Sequence, residues 1–242
     1  MHRAYALASR AATLPGAIVR ATPGAMTDTP ATTIPRINEP APAFTAPSTH
    51  GEISLGDFKG KWVVLFSHPA DFTPVCTTEF VAFARAQDDF ARLDTQLIGL
   101  SIDSVYSHIA WIRAIEHHFG VQVKFPVIAD LSMGVASKYG MIHPGASATA
   151  AVRAVFVIDP NQNIRAMIYY PLTTGRVIGE VLRLVEALQL NAKHGLATPE
   201  AWQPGDKCIV PPPATQQAAA DRMNSKYEVT DWWFSKTACP TK

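Results

Sequence analysis

The sequence predicts an α/β protein in which helices cover a central sheet. Between about residues 34 and 190, short apolar runs typical of buried strands alternate with segments whose apolar residues recur at helical spacing. After residue 190 this alternation stops and a proline-rich segment begins, which indicates a separate C-terminal part.

The predicted elements follow one another in a regular order. Strands are expected over residues 44–46, 52–55, 61–67, 96–102, 125–128, 152–158 and 164–169. Helices are expected just after the third strand and over residues 105–119, 132–139 and 176–190. Strands that alternate with helices, followed by a hairpin and a last helix, are typical of a thioredoxin-like α/β domain.

The N-terminal segment, residues 1–33, stands apart from this domain. It is rich in Ala, Thr and Pro, and it carries Arg3, Arg10 and Arg20 with no acidic residue before Asp28. Such a composition resembles an organellar transit peptide. The favoured interpretation is a disordered tail without a catalytic role, and a third is a dispensable extension with Met26 as the working start.

The C-terminal segment completes a three-part division into residues 1–33, 34–190 and 191–242. Its stretch 197–213 is expected to be extended, and 216–223 is a candidate helix. Three large aromatics, Trp232, Trp233 and Phe234, lie close together near its end. Because such a cluster is costly to leave in water, we expect it to dock, either on its own domain or on another subunit.

Composition excludes several classes of protein. The net charge of +1 argues against a nucleic-acid partner, and no apolar run reaches the length of a membrane span. The three cysteines are far apart in sequence, which fits neither a disulfide framework nor a metal site and favours a reducing, cytoplasmic compartment. The chain has neither a glycine-rich phosphate loop nor a His-Glu-x-x-His pattern, so we expect no cofactor and no metal.

Cys76 lies where a predicted strand leads into a predicted helix. Pro74 suits the first turn of that helix, and Thr73 is a plausible N-cap. Unpaired backbone N–H groups and the helix dipole at this position favour a thiolate, which is the reactive form of cysteine. The alternative is a small buried core residue, which is a common fate of a free cysteine.

The order Pro69-x-x-x-Thr73-x-x-Cys76 resembles the active-site signature of the peroxiredoxins. The longer run 68–79 is similar to the 1-Cys subfamily and its archaeal relatives, as are the stretches 152–157 and 170–176. The resemblance covers about residues 44–234. It implies a thioredoxin-like fold with a small C-terminal peroxiredoxin domain, which packs at the subunit contacts of a homodimer or a ring of dimers.

The resemblance also implies a role for each site residue. Cys76 would attack a hydroperoxide and become a sulfenic acid, the first step of thiol oxidation. The resemblance implies that Thr73, Pro69 and Arg153 contact Cys76 directly. It also implies that Glu79 and Arg176 hold Arg153 in place from behind, and that His68 lies near the thiol. Arg153 also stands out without the resemblance, because a charge within the apolar run 152–157 would be expensive unless it were used. Ionising the thiol gains little by itself, since a more acidic thiol is a weaker nucleophile, so we expect Arg153 to stabilise the breaking O–O bond.

The reduction of the sulfenic acid has two expected routes. We predict a 1-Cys cycle with an external thiol of the glutathione or thioredoxin type, and the alternative is that Cys239 resolves the sulfenic acid as a disulfide. Archaeal relatives carry cysteines where this chain has Val229 and Ser235, so their disulfide does not carry over directly. Cys208 lies in an apolar setting and is expected to be structural.

Other functions fit the sequence less well. The run Cys76-Thr77-Thr78-Glu79 has no second cysteine for a thiol–disulfide oxidoreductase, and Ala82 stands where a cysteine-dependent phosphatase needs an arginine. A function of another class is an oligomeric holdase that uses its thiol as a redox sensor. That function would survive replacement of Cys76, whereas a peroxidase would not.

Overall fold

The computed structural model describes residues 34–240. The expectations for residues 1–33, whether a targeting segment, a tail or an upstream start, lie outside the described residues. The strands are β1 (Thr45–Ser48), β2 (Gly51–Ser54), β3 (Trp62–Ser67), β4 (Thr95–Ser101), β5 (Val127–Ala129), β6 (Arg153–Ile158), β7 (Ile164–Tyr170), β8 (Lys207–Val210), β9 (Glu228–Asp231) and β10 (Phe234–Ala238). The helices are α1 (Pro74–Arg92), α2 (Val105–Phe119), α3 (Gly134–Lys138), α4 (Ile178–His194) and α5 (Gln216–Met223), and a short 3-10 helix spans Leu55–Phe58.

The first seven strands form one mixed sheet in the order β2-β1-β5-β4-β3-β6-β7. Strand β4 runs parallel to β3 and to β5, whereas the other pairs are antiparallel. The thioredoxin-like sheet predicted from the sequence is therefore present. None of the helices between residues 34 and 240 is long and apolar enough to cross a membrane.

The central strands are buried on both faces because each face of the sheet packs against its own apolar cluster. Along β3, Val63 and Leu65 point into one cluster, while Val64 and Phe66 point into the other. This alternation is the period of two expected of a strand, and helices cover the second face. The whole of β3 is therefore inaccessible to solvent, as its continuous apolar sequence predicts.

Helix α1 lies close against the sheet at Gly99 of β4. A Cβ added at Gly99 would lie 3.2 Å from Phe80 Cζ and 3.4 Å from Phe66 Cζ, so a larger residue would push the helix away. The Phe66 ring stacks on Phe83 with centroids 3.9 Å apart and meets Phe80 edge to face. These contacts hold the first turns of α1, which carry Cys76, at a defined height above β3.

The C-terminal part forms a second, three-stranded antiparallel sheet in the order β8-β10-β9. The sequence patterns predicted α5 but not this sheet. A disulfide joins Cys208 of β8 to Cys239 just after β10, with a Cα–Cα distance of 5.2 Å. In the aromatic cluster, Trp232 and Trp233 are 43% and 54% exposed, whereas Phe234 is half-buried, so the docking of the two tryptophans stays a prediction.

Candidate active site

The loop between β3 and α1 delivers Cys76 to the N-terminal end of a long helix. Pro74 occupies the first helical turn, and Cys76 follows two residues later with no exposed surface. Thr73 is the N-cap by its extended backbone, but its side chain makes no cap hydrogen bond. Instead, Thr73 Oγ1 donates to the carbonyl of Ala70 at 2.9 Å, which corrects the expected capping role and leaves the hydroxyl lone pairs free to accept.

Arg153 is placed over Cys76 by the register of β6. Val155 and Val157 of this strand face the cluster that contains Cys76, so Arg153, two residues earlier than Val155, shares that face. Arg153 Nη1 donates to Cys76 Sγ at 3.4 Å and to Glu79 Oε2 at 2.8 Å. Its Nε and Nη2 donate to the carbonyl of Leu172 at 3.0 and 2.8 Å, which fixes the plane of the guanidinium.

One N–H of Arg153 remains for a ligand. A guanidinium has five N–H donors, of which Cys76, Glu79 and the Leu172 carbonyl engage four. The second N–H on Nη2 has no acceptor among the described residues. A small polar molecule beside the sulfur could therefore bind this donor without displacing any existing contact.

Glu79 lies one turn after Cys76 and joins the two arginines. Its Oε1 accepts from the backbone N–H and the Nε of Arg176 at 2.7 and 2.8 Å, and its Oε2 accepts from Arg176 Nη2 at 2.8 Å. Burial alone would raise the pKa of this carboxyl, but hydrogen bonds and charge from Arg176, with the charge of Arg153, hold the pKa below its ordinary value. Glu79 thus bridges the guanidinium groups of Arg153 and Arg176, and its role in bracing Arg153 stays a prediction.

The buried cluster of two arginines and one glutamate beside Cys76 carries a net positive charge. Arg153, Arg176 and Glu79 are each at least 93% buried and sum to +1. A thiolate at Cys76 would bring the sum to zero, and it would also sit at the positive end of α1. The surplus positive charge of this cluster therefore lies against the sulfur of Cys76.

A second buried network lies on the other side of the Cys76 loop, and sequence reasoning missed most of it. Asp71 accepts from His68 Nε2 and from His108 Nδ1, each at 2.8 Å, and His108 Nε2 faces the carbonyl of Ile128 at 3.1 Å. Burial would raise the pKa of Asp71, but the hydrogen bonds from His108 and His68 outweigh it and lower the pKa to about 2. The backbone N–H of Asp71 also donates to Asp103 at 2.9 Å. Asp71 therefore connects the loop that carries Cys76 to α2, through His108, and to the loop before α2, through Asp103.

This network determines the protonation of His68, but it brings no hydrogen bond from His68 to Cys76 among the described residues. Burial is the main cause that lowers the pKa of His68, so the ring is neutral and donates through Nε2 to the Asp71 carboxylate. His68 Nδ1 is buried and has no hydrogen-bond partner among the described residues. Neither His68, Pro69 nor Thr73 makes a hydrogen bond to Cys76 within residues 34–240, so their roles stay predictions.

His68, Asp71 and His108 are also the described residues that come closest to a metal-ligand set, since their donor atoms lie within 4.8 Å of one another. The 2.8 Å separations are those of hydrogen bonds. Ligand atoms around a tetrahedral zinc at about 2.0–2.1 Å would stand farther apart, at roughly 3.3 Å. The cluster is therefore built as a hydrogen-bond network.

Ser67 is a further residue that no sequence pattern indicated. Its hydroxyl donates to the carbonyl of Val152 at 2.6 Å and accepts from the N–H of Ala154 at 3.0 Å, and its side chain is fully buried. These two groups flank Arg153 in the chain. Ser67 thus attaches the backbone on both sides of Arg153 to the end of β3.

The other two cysteines are paired with each other. Cys76 is the free cysteine of the described chain, whereas Cys208 and Cys239 form the disulfide. In this state Cys239 has no thiol with which to resolve an oxidised Cys76. The pairing was not expected from the sequence, because 31 residues separate the two cysteines and only the β8–β10 pairing brings them together.

Two family models, several relatives and a solved structure are similar to this chain. Residues 37–167 match the AhpC/TSA family, and residues 187–226 match the C-terminal domain of 1-Cys peroxiredoxin. A peroxiredoxin of Aquifex aeolicus is 56% identical over 84% of this chain and 96% of its own length, and one of Methanosarcina mazei is 54% identical over 83% and 96%. The structure of the yeast mitochondrial 1-Cys peroxiredoxin superposes with a TM-score of 0.76 at 42% identity, covering 84% of this chain and 99% of that chain.

Proposed function

The chain belongs to the peroxiredoxins of the AhpC/TSA family and is a thiol peroxidase, and on that premise we propose that Cys76 reduces hydrogen peroxide and organic hydroperoxides in a 1-Cys cycle. The observation that carries the proposal is the contact of Arg153 Nη1 with both Cys76 Sγ and Glu79. One guanidinium thereby touches the nucleophile and is held in place by a carboxylate. Its remaining donor is available to a peroxide.

In the first step the Cys76 thiolate attacks one oxygen of the peroxide. An S–O bond forms as the O–O bond breaks, and the departing oxygen takes a proton and leaves as water or an alcohol. The sulfur becomes a sulfenic acid, which is a two-electron oxidation. The proton taken up equals the one that the thiol lost on ionisation, and the sulfur supplies both electrons, so this step needs no cofactor.

Arg153 and Thr73 would hold the peroxide during this step. The free N–H on Arg153 Nη2 donates to a peroxide oxygen and stabilises the negative charge that develops as the O–O bond breaks. The Thr73 hydroxyl, whose proton is used by Ala70, would accept from the peroxide O–H. Pro69, which has no N–H, would shield the thiolate from water.

An external thiol would then restore Cys76. A first thiol condenses with the sulfenic acid to a mixed disulfide and water, and a second thiol releases Cys76 and forms the disulfide of the reductant. The pairing of Cys239 with Cys208 supports this route over resolution by Cys239. The work on the yeast relative concerns its glutathione and thioredoxin systems, which makes a thiol of either type a suitable first choice for assay.

We also propose a homodimer or a ring of dimers. Trp232 and Trp233 lie exposed at the turn between β9 and β10, where apolar surface is unfavourable in water. Sedimentation of the purified protein tests this proposal, and a monomer at micromolar concentration would contradict it.

The peroxidase test compares peroxide decay for the wild-type protein and Cys76→Ser in the presence of glutathione or thioredoxin. We expect the substitution to abolish the protein-dependent rate, because the hydroxyl of serine is not ionised at neutral pH. Ser235→Ala, a change at another fully buried position with no contact to the site, serves as the control for folding. An undiminished rate in Cys76→Ser would overturn the proposal.

A separate experiment distinguishes the two cycles. After one equivalent of peroxide, the protein is trapped with a sulfenic-acid reagent and run on a non-reducing gel. The 1-Cys cycle predicts labelled Cys76 and no new disulfide, with thiol-dependent turnover retained in Cys239→Ser. A Cys76–Cys239 disulfide would instead establish resolution by Cys239.

A further inference from the structure

The two sulfurs of the C-terminal disulfide differ in access. Cys208 lies within β8 and has no exposed surface. Cys239 follows the last residue of β10, is half-buried and forms part of the wall of a surface cleft. Cys239, and not Cys208, therefore borders the cleft from which a thiolate would approach the disulfide.

This C-terminal cleft lies between the end of α1, the end of α4 and the segment 202–205, and has a volume of about 550 Å³. That volume is within the range of small-molecule sites, roughly 300–1,000 Å³. Its floor is apolar and includes Leu93, Leu190 and Trp202. The indole N–H of Trp202 is buried and has no acceptor among the described residues.

The rim of the cleft carries charges of both signs. The basic side chains are those of Arg92, Lys193 and His194, and the acidic ones are those of Asp94 and Glu186. A small peptide thiol such as glutathione has two carboxylates and one ammonium group. Because Arg92 already pairs with Asp89 and Asp94 with Lys61, Lys193 is the rim charge expected to meet a carboxylate of such a thiol, whereas a neutral thiol gains nothing from it.

We propose that the Cys208–Cys239 pair is a second redox site, at which a small peptide thiol of the glutathione type, bound in the C-terminal cleft, exchanges with the disulfide. The thiolate attacks Cys239 Sγ, a new S–S bond forms to the ligand, and the Cys208–Cys239 bond breaks. Cys208 leaves as a thiolate and takes up the proton that the incoming thiol lost. A second thiol then releases Cys239 and forms the ligand disulfide, so two thiols are oxidised and one protein disulfide is reduced.

This reaction is chemically independent of Cys76. It needs neither peroxide nor a sulfenic acid, and the disulfide of the same small thiol reverses it. Reduction would remove the covalent link between β8 and the residue that follows β10.

The experiment uses Cys76→Ser protein in its oxidised form, in which Cys208 and Cys239 are the remaining cysteines. The protein is incubated with glutathione and, in parallel, with 2-mercaptoethanol, which is neutral. Aliquots are quenched with acid, and the mixed disulfide is located by peptide mass spectrometry. We expect the adduct on Cys239 and not on Cys208, and we expect the glutathione rate alone to fall as salt is added.

Charge variants in the same background test the cleft. Lys193→Ala should slow the reaction with glutathione about two- to fivefold, which is the size expected for an exposed charge interaction, and should leave the 2-mercaptoethanol rate unchanged. Lys226→Ala removes the same charge from an exposed position outside the cleft and serves as the control.

Four results would overturn the proposal. The first is reduction only in denaturant, the second is an adduct on Cys208, and the third is an equal effect of Lys193→Ala on both thiols. Free thiols at both positions after equilibration with glutathione disulfide would also contradict it. Since the protein lacks Cys76 throughout, none of these outcomes bears on the peroxidase reaction.

Discussion

Cys76 and the Cys208–Cys239 pair hold sulfur in two different environments. Cys76 lies at the start of α1, fully buried, against a guanidinium whose other donors are bound to a carboxylate and a carbonyl. The disulfide links β8 of the small C-terminal sheet to Cys239, which follows β10 and borders a cleft. Two equally buried sulfurs, those of Cys76 and Cys208, thus have different surroundings. The charged groups and the bonding partner beside a cysteine, more than its buried fraction, determine which reactions it can undergo.

The largest expected effect separates the shape of Arg153 from its charge. Arg153→Lys keeps the positive charge but loses the forked donors that bind Cys76, Glu79 and the Leu172 carbonyl together. We expect kcat/KM for peroxide to fall by about 10²–10³-fold, the effect of losing an oriented donor to a transition state. Arg165→Lys on β7 is the control, and a full rate in Arg153→Lys would show that charge alone suffices.

The next effect concerns the carboxylate that balances the two arginines. Glu79→Gln leaves two buried guanidinium groups without their counter-charge, and we expect a loss of about 3–5 kcal/mol in the free energy of unfolding. Urea unfolding measures it, with the exposed Glu180→Gln as the control. An unchanged stability would mean that the ion pairs of Glu79 do not hold the site together.

The same variant predicts a pH dependence. Because the pKa of Glu79 is lowered in the folded protein, its stabilisation is complete above the ordinary carboxyl value of about 4.3 and is lost as the pH falls through the lower folded value. The difference in stability between wild type and Glu79→Gln should therefore narrow below about pH 4. A constant difference down to the acid limit would contradict this assignment.

Removing the Cys208–Cys239 disulfide should lower the stability of the C-terminal sheet. The double variant Cys208→Ala, Cys239→Ala opens a loop of 31 residues, and we expect a loss of about 3–4 kcal/mol at most, localised in the C-terminal sheet. Hydrogen exchange should quicken at the amides of Lys236 and Ala238 and stay slow at Val64 and Val155. Faster exchange in β3 and β6 would show that the two regions unfold as one.

A smaller effect is expected at the loop that carries Cys76. Lowering the pKa of Asp71 to about 2 corresponds to roughly 2 kcal/mol of stability at neutral pH, which Asp71→Asn should remove. Since the folded pKa lies below the ordinary value, this stabilisation is present above about pH 4 and disappears towards pH 2. Thermal unfolding across that range, with the exposed Asp89→Asn for comparison, checks it.

The smallest effect is expected at Ser67. Ser67→Ala removes the hydroxyl that accepts from the Ala154 N–H, which then keeps only the Val152 carbonyl at 3.0 Å, and we expect a cost of roughly 1 kcal/mol. Because the guanidinium keeps its own hydrogen bonds, peroxide reduction should fall by less than tenfold. The measurement is kcat/KM, with Ser235→Ala as the matched buried serine. A loss as large as that of Arg153→Lys would show that the β3–β6 attachment governs the position of Arg153.

Much of the fold was predictable because local patterns agreed with the final environment. The helical spacing over 105–119 matches α2 at both ends, since Ser104 caps its start and Gly120, with φ of 66°, ends it. The apolar run 61–67 became a strand buried on both faces, as such runs do between two cores. The predicted helix over 132–139 is shorter, spanning only Gly134–Lys138, because Met133 adopts a left-handed conformation at its start.

The sequence by itself determined which residues we propose for the chemistry: Cys76 between a strand and a helix with Pro74 in its first turn, and Arg153 as the charge in an apolar strand. It also determined the order of strands and helices, because spacing along one chain sets both. Only the tertiary structure decided the partners. The contacts of Ser67 with the backbone beside Arg153, of Asp71 with His108, and of Cys208 with Cys239 join residues that are 31 or more positions apart. Such pairings leave no local pattern, since packing of the sheet and helices creates them only when the chain has folded.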